Sequence, residues 1–343
     1  VLIMVINIIS RSLFRGDVTG PSKVVKNTIK GLEMLGVVCV YNQPIKYHDY
    51  NWIHDDKKAI VEAGICNKPV IIGPNIATTP DELPLFRKKL NNGSILLLPS
   101  DWVGLLWDFY KFSEVKTRIW PVGIDTIKFY NVERCNKSKV LVYFKQRDDS
   151  ILTNTLSILN QLNFNYEVVY YGSYSEEEYI KILHNCLFGI WIGCSESQGI
   201  ALQEAMSTNL PLIVIDSDSL LDAITLKTRK YIPYTFKTDV KNIKVTSAPY
   251  FDQSCGIVIS NVNSLRGSIN ELLHSLDEFK PRNYIKEHLS LKVSATQLVS
   301  YFKLLKVTKC RSENCKILTN MIFYTGIFFQ RWAWKMLIYK IFK

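Results

Sequence analysis

Hydrophobic residues fall along this chain in short continuous runs, separated by stretches where they recur every three or four positions. The runs at residues 2–9, 37–41, 69–73 and 94–99 have the length and β-branched content of strands buried on both faces. Helical spacing occupies residues 22–35, 55–64 and 102–112 between and after them. The alternation then restarts, with strands predicted at 139–144, 166–171, 187–192 and 212–215 and helices at 150–162, 175–184 and 199–208. Gly36 supplies a stop for the first helix, and Glu176, Glu177 and Glu178 fill a first turn, where the helix dipole favours acids. Such alternation predicts an α/β protein with parallel sheets. The strand clusters are separated by Ile119-Trp-Pro-Val-Gly-Ile-Asp-Thr126 and a polar run at 131–139. We therefore expect two domains, 1–120 and 121–306, and a distinct tail, 307–343.

Composition agrees. A chain of 343 residues suffices for about two domains, and 47% hydrophobic with 21% charged residues describes a globular protein. The net charge of +11 suits phosphorylated ligands, anionic membranes or nucleic acid. No arginine-rich arm, zinc-finger spacing or aromatic RNA-binding signature accompanies it, so nucleic acid is not expected as a partner. The eight cysteines lie mostly in apolar runs and read as free thiols of a reducing, cytoplasmic environment. Cys310 and Cys315 stand in a polar segment without the further ligands a metal site needs. The opening VLIMVINII lacks the basic and small-residue flanks of a signal peptide and is expected to be a buried strand.

Three segments carry candidate chemistry. Arg15-Gly-Asp-Val-Thr-Gly-Pro-Ser22 joins a strand to a helix; Gly16 and Gly20 permit close approach, and with Pro21 and Ser22 they form a candidate cleft loop, a plain tight turn being the alternative. Lys145 and Arg147 follow the first strand of the second half, at the end where open α/β sheets bind ligands, and suit a diphosphate; a solvated pair is the alternative. The third segment is Glu196-Ser-Gln-Gly-Ile-Ala-Leu-Gln-Glu204. Eight positions on a continuous helix would leave the two acids about 80° apart, which assigns them different tasks. One carboxylate can take the two hydroxyls of a ribose while the other reaches a sugar; two surface acids are the bland alternative.

The segment Glu196 to Glu204, with the following AMSTNLPLIV, resembles the E-x7-E motif of retaining GT-B glycosyltransferases of the family 4 type. The Gly-Pro-Ser loop with its helix, Pro121-Val-Gly-Ile-Asp-Thr126, and residues 282–305 as a closing helical segment extend the similarity over residues 1–306. The resemblance implies two Rossmann-like domains facing a cleft, the first for the acceptor and the second for a UDP- or GDP-sugar donor. It implies that Glu204 holds the ribose, that Glu196 contacts the transferred hexose, and that Ser197, Gln198 and Gly199 lie near sugar and phosphates. Gly172, closing the strand before it, joins this donor-binding set. Lys145 and Arg147 would neutralise the diphosphate, with no metal and no cofactor. The acceptor would be a glycan, a lipid-linked molecule or a protein, and the anomeric configuration would be retained. A catalytically impaired binding protein, or an epimerase or phosphorylase on the same fold, are the alternatives.

The chain departs from that pattern. Phe144 stands in a glycine place, Lys145 in an arginine place, and no lysine follows soon after Arg147. The strand near which a first-domain histidine commonly sits ends in Asn75; His54 is a substitute, with a surface histidine as the expected reading. The polar-aromatic segment from Thr246 to Gly256 reads as a structural loop, with a loop near the donor as the alternative. In residues 317–343, Arg331, Lys335, Lys340 and Lys343 interleave with tryptophans and aliphatics. That mixture suits a helix lying on an anionic membrane surface, so peripheral attachment is expected, with packing on the domains as the alternative.

Overall fold

The computed structural model describes residues 4–13, 19–77, 80, 90–91, 93–112, 115–133, 137–220 and 243–305. Gly16, Cys135, Cys310, Cys315 and the tail at 307–343 lie outside the described residues.

In the first half, β1 (Val5–Ile9), α1 (Gly20–Met34), β2 (Val38–Tyr41), β3 (Tyr50–Ile53), α2 (Lys57–Ile65), β4 (Ile71–Ile72), β5 (Ile95–Leu98), α3 (Asp101–Phe109) and β6 (Lys116–Ile119) follow in order. Their strands form a parallel sheet of order β2-β1-β3-β4-β5-β6. The second half contains β7 (Lys139–Phe144), α4 (Asp149–Gln161), β8 (Asn165–Tyr170), α5 (Glu176–Asn185), β9 (Cys186–Ile192), α6 (Ile200–Ser207), β10 (Leu212–Ile215) and β11 (Gly256–Ile259), then α7 (Leu265–His274), α8 (Pro281–His288) and α9 (Leu291–Leu304). Here the parallel order is β11-β10-β9-β7-β8. The expected α/β architecture of two parallel sheets is what the chain adopts.

Each central strand feeds two cores, because alternate side chains leave a strand on opposite faces. Leu141 and Tyr143 join one core with Leu202, Met206 and Leu212, while Val140, Val142 and Phe144 join another with Leu159, Ile190 and Ile269. In the first sheet Ile6, Ile8 and Trp52 face one layer and Ile9 and Ile53 the other. Burial on both faces explains the unbroken apolar runs.

Strands β3, β6 and β11 were not predicted. In β3, Asn51 interrupts the apolar pattern yet is fully buried, because the Asn7 amide donates to it at 2.9 Å. Polar pairing satisfied only by tertiary contact hides such a strand. Strand β6, Lys-Thr-Arg-Ile, is a half-exposed edge.

The last described helix crosses to the first half. Ala295, Leu298 and Phe302 of α9 pack with Ile6, Val25, Trp52 and Trp120, and the Trp120 indole donates to the Ser294 carbonyl at 3.0 Å. Gly31 permits this approach: a Cβ there would lie 2.5 Å from the Leu291 carbonyl oxygen. The expected second unit, 121–306, thus contributes a helix to the core of the first. Among the described residues no helix is long and apolar enough to cross a membrane. Cys66, Cys186, Cys194 and Cys255 are buried and Cys39 is half-buried, and none of these five forms a disulfide.

Candidate active site

The loops after β7 and β9 are brought together by sheet register. Phe144 lies opposite Ile192 in adjacent parallel strands, and the Lys145 amide donates to the Ile192 carbonyl at 2.9 Å. The residues that follow therefore leave the sheet side by side. The Lys145 ammonium lies 2.7 and 2.8 Å from the two carboxylate oxygens of Glu196 and 4.2 Å from the centre of the Tyr171 ring. Burial pushes the Glu196 carboxyl above its ordinary pKa, and Lys145 opposes that shift without cancelling it.

Gly199 stands at the N-cap of α6 with φ of +79°, a left-handed conformation that glycine adopts without a Cβ penalty. That turn sends α6 into the core, burying every residue from Leu202 to Ser207. Glu204 is consequently 2% exposed, and burial raises its pKa to about 7 even though Lys23 and Lys128 pull the other way. Its partner comes from the other half of the chain. Lys23, in the first turn of α1, places its ammonium 2.5 and 2.8 Å from the Glu204 oxygens and 3.3 Å from Glu176. Lys128 also pairs with Glu176. Burial raises the Glu176 carboxyl, but the two lysines together hold it below its ordinary value.

A cleft of about 870 Å³ opens between the halves. Gly20, Pro21, Lys23, Asn75 and Trp102 line it from the first half; Lys145, Gly172, Glu196, Ser197, Gln198 and Gly199 line it from the second. Its floor includes Tyr143 and Trp191, stacked 3.8 Å apart with rings 4° from parallel. Ser22 is buried, where its hydroxyl accepts from the Thr19 amide at 2.8 Å as part of a capping box, and it borders a smaller cavity of about 340 Å³ instead.

Several expectations change. Arg147 does not line the cleft. The residue is 7% exposed, and its guanidinium donates to the carbonyls of Gly193 at 2.8 Å, Asp216 at 3.1 Å and Ile215 at 3.4 Å, where β9 and β10 end. A planar fork of donors suits converging carbonyls as well as phosphate, and sequence cannot tell these apart. Gln198 reaches the cleft, but its side chain grips the connection between the halves: Oε1 accepts from the Val122 amide at 2.9 Å, and Nε2 donates to the Val122 carbonyl at 2.8 Å. His54 is no surface residue. It is fully buried, with Nδ1 3.2 Å from the Ser10 hydroxyl and Nε2 2.9 Å from the Asn75 amide oxygen. A histidine protonated at Nε2 donates to Asn75, so His54 orients the residue that meets the cleft.

Lys23, Tyr143 and Trp191 were not among the expected site residues, and Glu176 was read only as an acid of a helix first turn. For Lys23 one signal existed: a cation in the first turn of a helix opposes the dipole and needs an acid from elsewhere. The loop at 246–250 packs against the site. The Thr246 carbonyl accepts from the Glu196 amide at 3.0 Å, and the Tyr250 hydroxyl donates to the Pro99 carbonyl across the halves at 2.8 Å. The Trp102 indole adds a second cross-half bond, to the Glu196 carbonyl at 2.8 Å.

No family model and no curated protein matches the chain. Solved structures do. HepE of Anabaena, in complex with UDP and glucose, superposes with a TM-score of 0.56 at 11% identity, covering 88% of this chain and 99% of that one. A sucrose-phosphate synthase from Thermosynechococcus elongatus matches at 0.52 and 11% identity, with 88% and 99% covered. The lipopolysaccharide outer core galactosyltransferase WaaB matches at 0.52 and 13% identity over the same shares. The chain shares the two-sheet GT-B fold of these proteins.

Proposed function

We propose that this protein is a glycosyltransferase that takes a hexose from a UDP- or GDP-sugar and passes it to a glycan, lipid-linked or protein acceptor with retention of configuration. One observation carries the proposal: Glu196 lines the cleft between two parallel α/β units, at the strand ends where such sheets bind ligands, and Glu204, beyond a left-handed glycine, borders the smaller adjoining cavity that shares Lys23 with the cleft. Glu204 takes the ribose diol. Glu196 contacts the hexose, and two loops, one with Gly172 and one with Ser197 and Gly199, admit the diphosphate close to the backbone. In the transfer the bond between the anomeric carbon and the diphosphate oxygen breaks, and a bond to the acceptor hydroxyl oxygen forms on the same face. The hydroxyl proton passes to the departing phosphate. Stabilising the leaving diphosphate is the main catalytic task, and ammonium groups in a partly closed cleft serve it.

A second reading has its own support. Both site acids already hold a lysine, and Arg147 is turned away from the cleft. A protein that binds nucleotide sugars without turnover fits these facts. Incubation with UDP- and GDP-sugars and a set of glycan acceptors, with nucleotide release and binding both measured, separates the readings. Release that depends on the acceptor supports transfer; binding without release supports the second reading.

Residues 317–343 are proposed, from their composition, to attach the protein to anionic membrane. Full-length protein should then sediment with anionic liposomes, and removing these residues should abolish it. Equal sedimentation of both forms counts against attachment.

A further inference from the structure

This inference rests on the nucleotide-sugar reading. Lys23 belongs to the first half yet is neutralised by the second, through both oxygens of Glu204 and through Glu176. Its side chain keeps 16% exposure and lines the large cleft, whereas Glu204 keeps 2%. A ribose diol that binds Glu204 must therefore take oxygens that Lys23 already occupies. The ammonium it displaces stays inside the cleft with only a share of Glu176, which also pairs with Lys128, in a partly closed setting that disfavours incompletely paired charge. The other expected cations are engaged elsewhere: Arg147 by backbone carbonyls and Lys145 by Glu196.

We propose that Lys23 is a donor-sensing residue: the ribose of a nucleoside diphosphate and Lys23 compete for the same two oxygens of Glu204, and the displaced ammonium turns to the diphosphate. A nucleoside alone breaks the Lys23–Glu204 pair and leaves the ammonium only Glu176, which Lys128 already shares. A nucleoside diphosphate breaks the pair and supplies one. Lys23 thereby makes the cleft select for the diphosphate over the nucleoside, and it contributes a first-half cation to the leaving group.

The test compares uridine with UDP and guanosine with GDP by calorimetry, on the wild type and on Lys23→Met. In the wild type the diphosphate binds far more tightly than its nucleoside. In Lys23→Met the ratio of the two dissociation constants should fall at least tenfold, because the nucleoside no longer competes and the diphosphate loses its cation. Lys23→Arg should keep the ratio within about threefold. An unchanged ratio in Lys23→Met overturns the proposal. Amine labelling of the wild type, read by mass spectrometry at Lys23, decides the matter even if the variant fails to fold. Nucleoside should raise the labelling several-fold and diphosphate should suppress it again; labelling indifferent to nucleoside overturns the proposal. If the wild type binds no diphosphate of either base, the nucleotide-sugar reading itself fails. If it binds one and the ratio and labelling do not respond, only the role of Lys23 falls.

Discussion

Glu196 and Glu204 are each held by one lysine through both carboxylate oxygens, but the two pairs depend on different parts of the molecule. Lys145 and Glu196 leave neighbouring strands of one sheet, and their meeting follows from the β7–β9 register. Lys23 and Glu204 come from opposite halves, 181 positions apart, and meet only while α1 sits against α6. The first pair is a property of a sheet. The second is a property of how the halves are joined, so it is the one a ligand entering between them can change. Their surroundings differ in the same sense: Tyr171 flanks Lys145 within its own half, whereas Lys23 is shared by Glu204 and Glu176 across the cleft.

Breaking the cross-cleft pair should have the largest effect. Glu204→Ala removes two hydrogen bonds from a charged acceptor to the ribose, worth together about 3 kcal/mol. Affinity for UDP or GDP should fall by about 100-fold in calorimetry. Affinity within a factor of three of the wild type would show that Glu204 is not the ribose clamp.

The pH dependence of stability sharpens the contrast. The Glu204 carboxyl is raised from 4.5 to about 7, so between those values the folded state keeps a proton that the unfolded state has released. Its contribution is fully present below pH 4.5 and is lost as pH rises through 7. The shift corresponds to about 3 kcal/mol across that window. Urea unfolding at several pH values should show this decline in the wild type, and Glu204→Gln should flatten it. Parallel profiles for the two proteins would assign the decline to other groups. Glu196, whose carboxyl is also raised, contributes with the same sign.

The smallest effect belongs to a cross-half bond in which no site acid takes part. Tyr250→Phe removes a hydroxyl that donates to the Pro99 carbonyl at 2.8 Å and should destabilise the protein by about 1 kcal/mol. Since the Lys145–Glu196 pair does not depend on that bond, binding of the donor should change less than stability. A drop in affinity larger than the drop in stability would mean that the halves are held mainly by this loop.

The strands at the centre of each sheet were legible because they are buried on both faces and read as continuous apolar runs. Strand β3 was not, because Asn51 is acceptable there only once Asn7 faces it. Gly199 could be read as a helix start, but not as the left-handed residue that turns α6 inward and buries Glu204. The acids were legible as a spaced pair. Lys145 was legible as a cation of the site but not as the partner of Glu196, which strand register decides, and Lys23, from a helix early in the chain, was not legible. Arg147 shows the opposite failure. A basic residue after a strand fits a phosphate and fits a ring of strand-end carbonyls equally well, and the carbonyls hold it.

Local pattern was enough for the α/β alternation and the spacing of Glu196 and Glu204, because periodicity and turn chemistry act between near neighbours in the chain. Long-range geometry settled the rest: α9 packing on the first core, His54 buried behind Asn75, and Lys23 answering Glu204 across the cleft. Those partners are chosen by the free energy of burying charge and polar groups. That free energy depends on what three-dimensional packing brings within hydrogen-bond reach, and distance along the chain does not encode it.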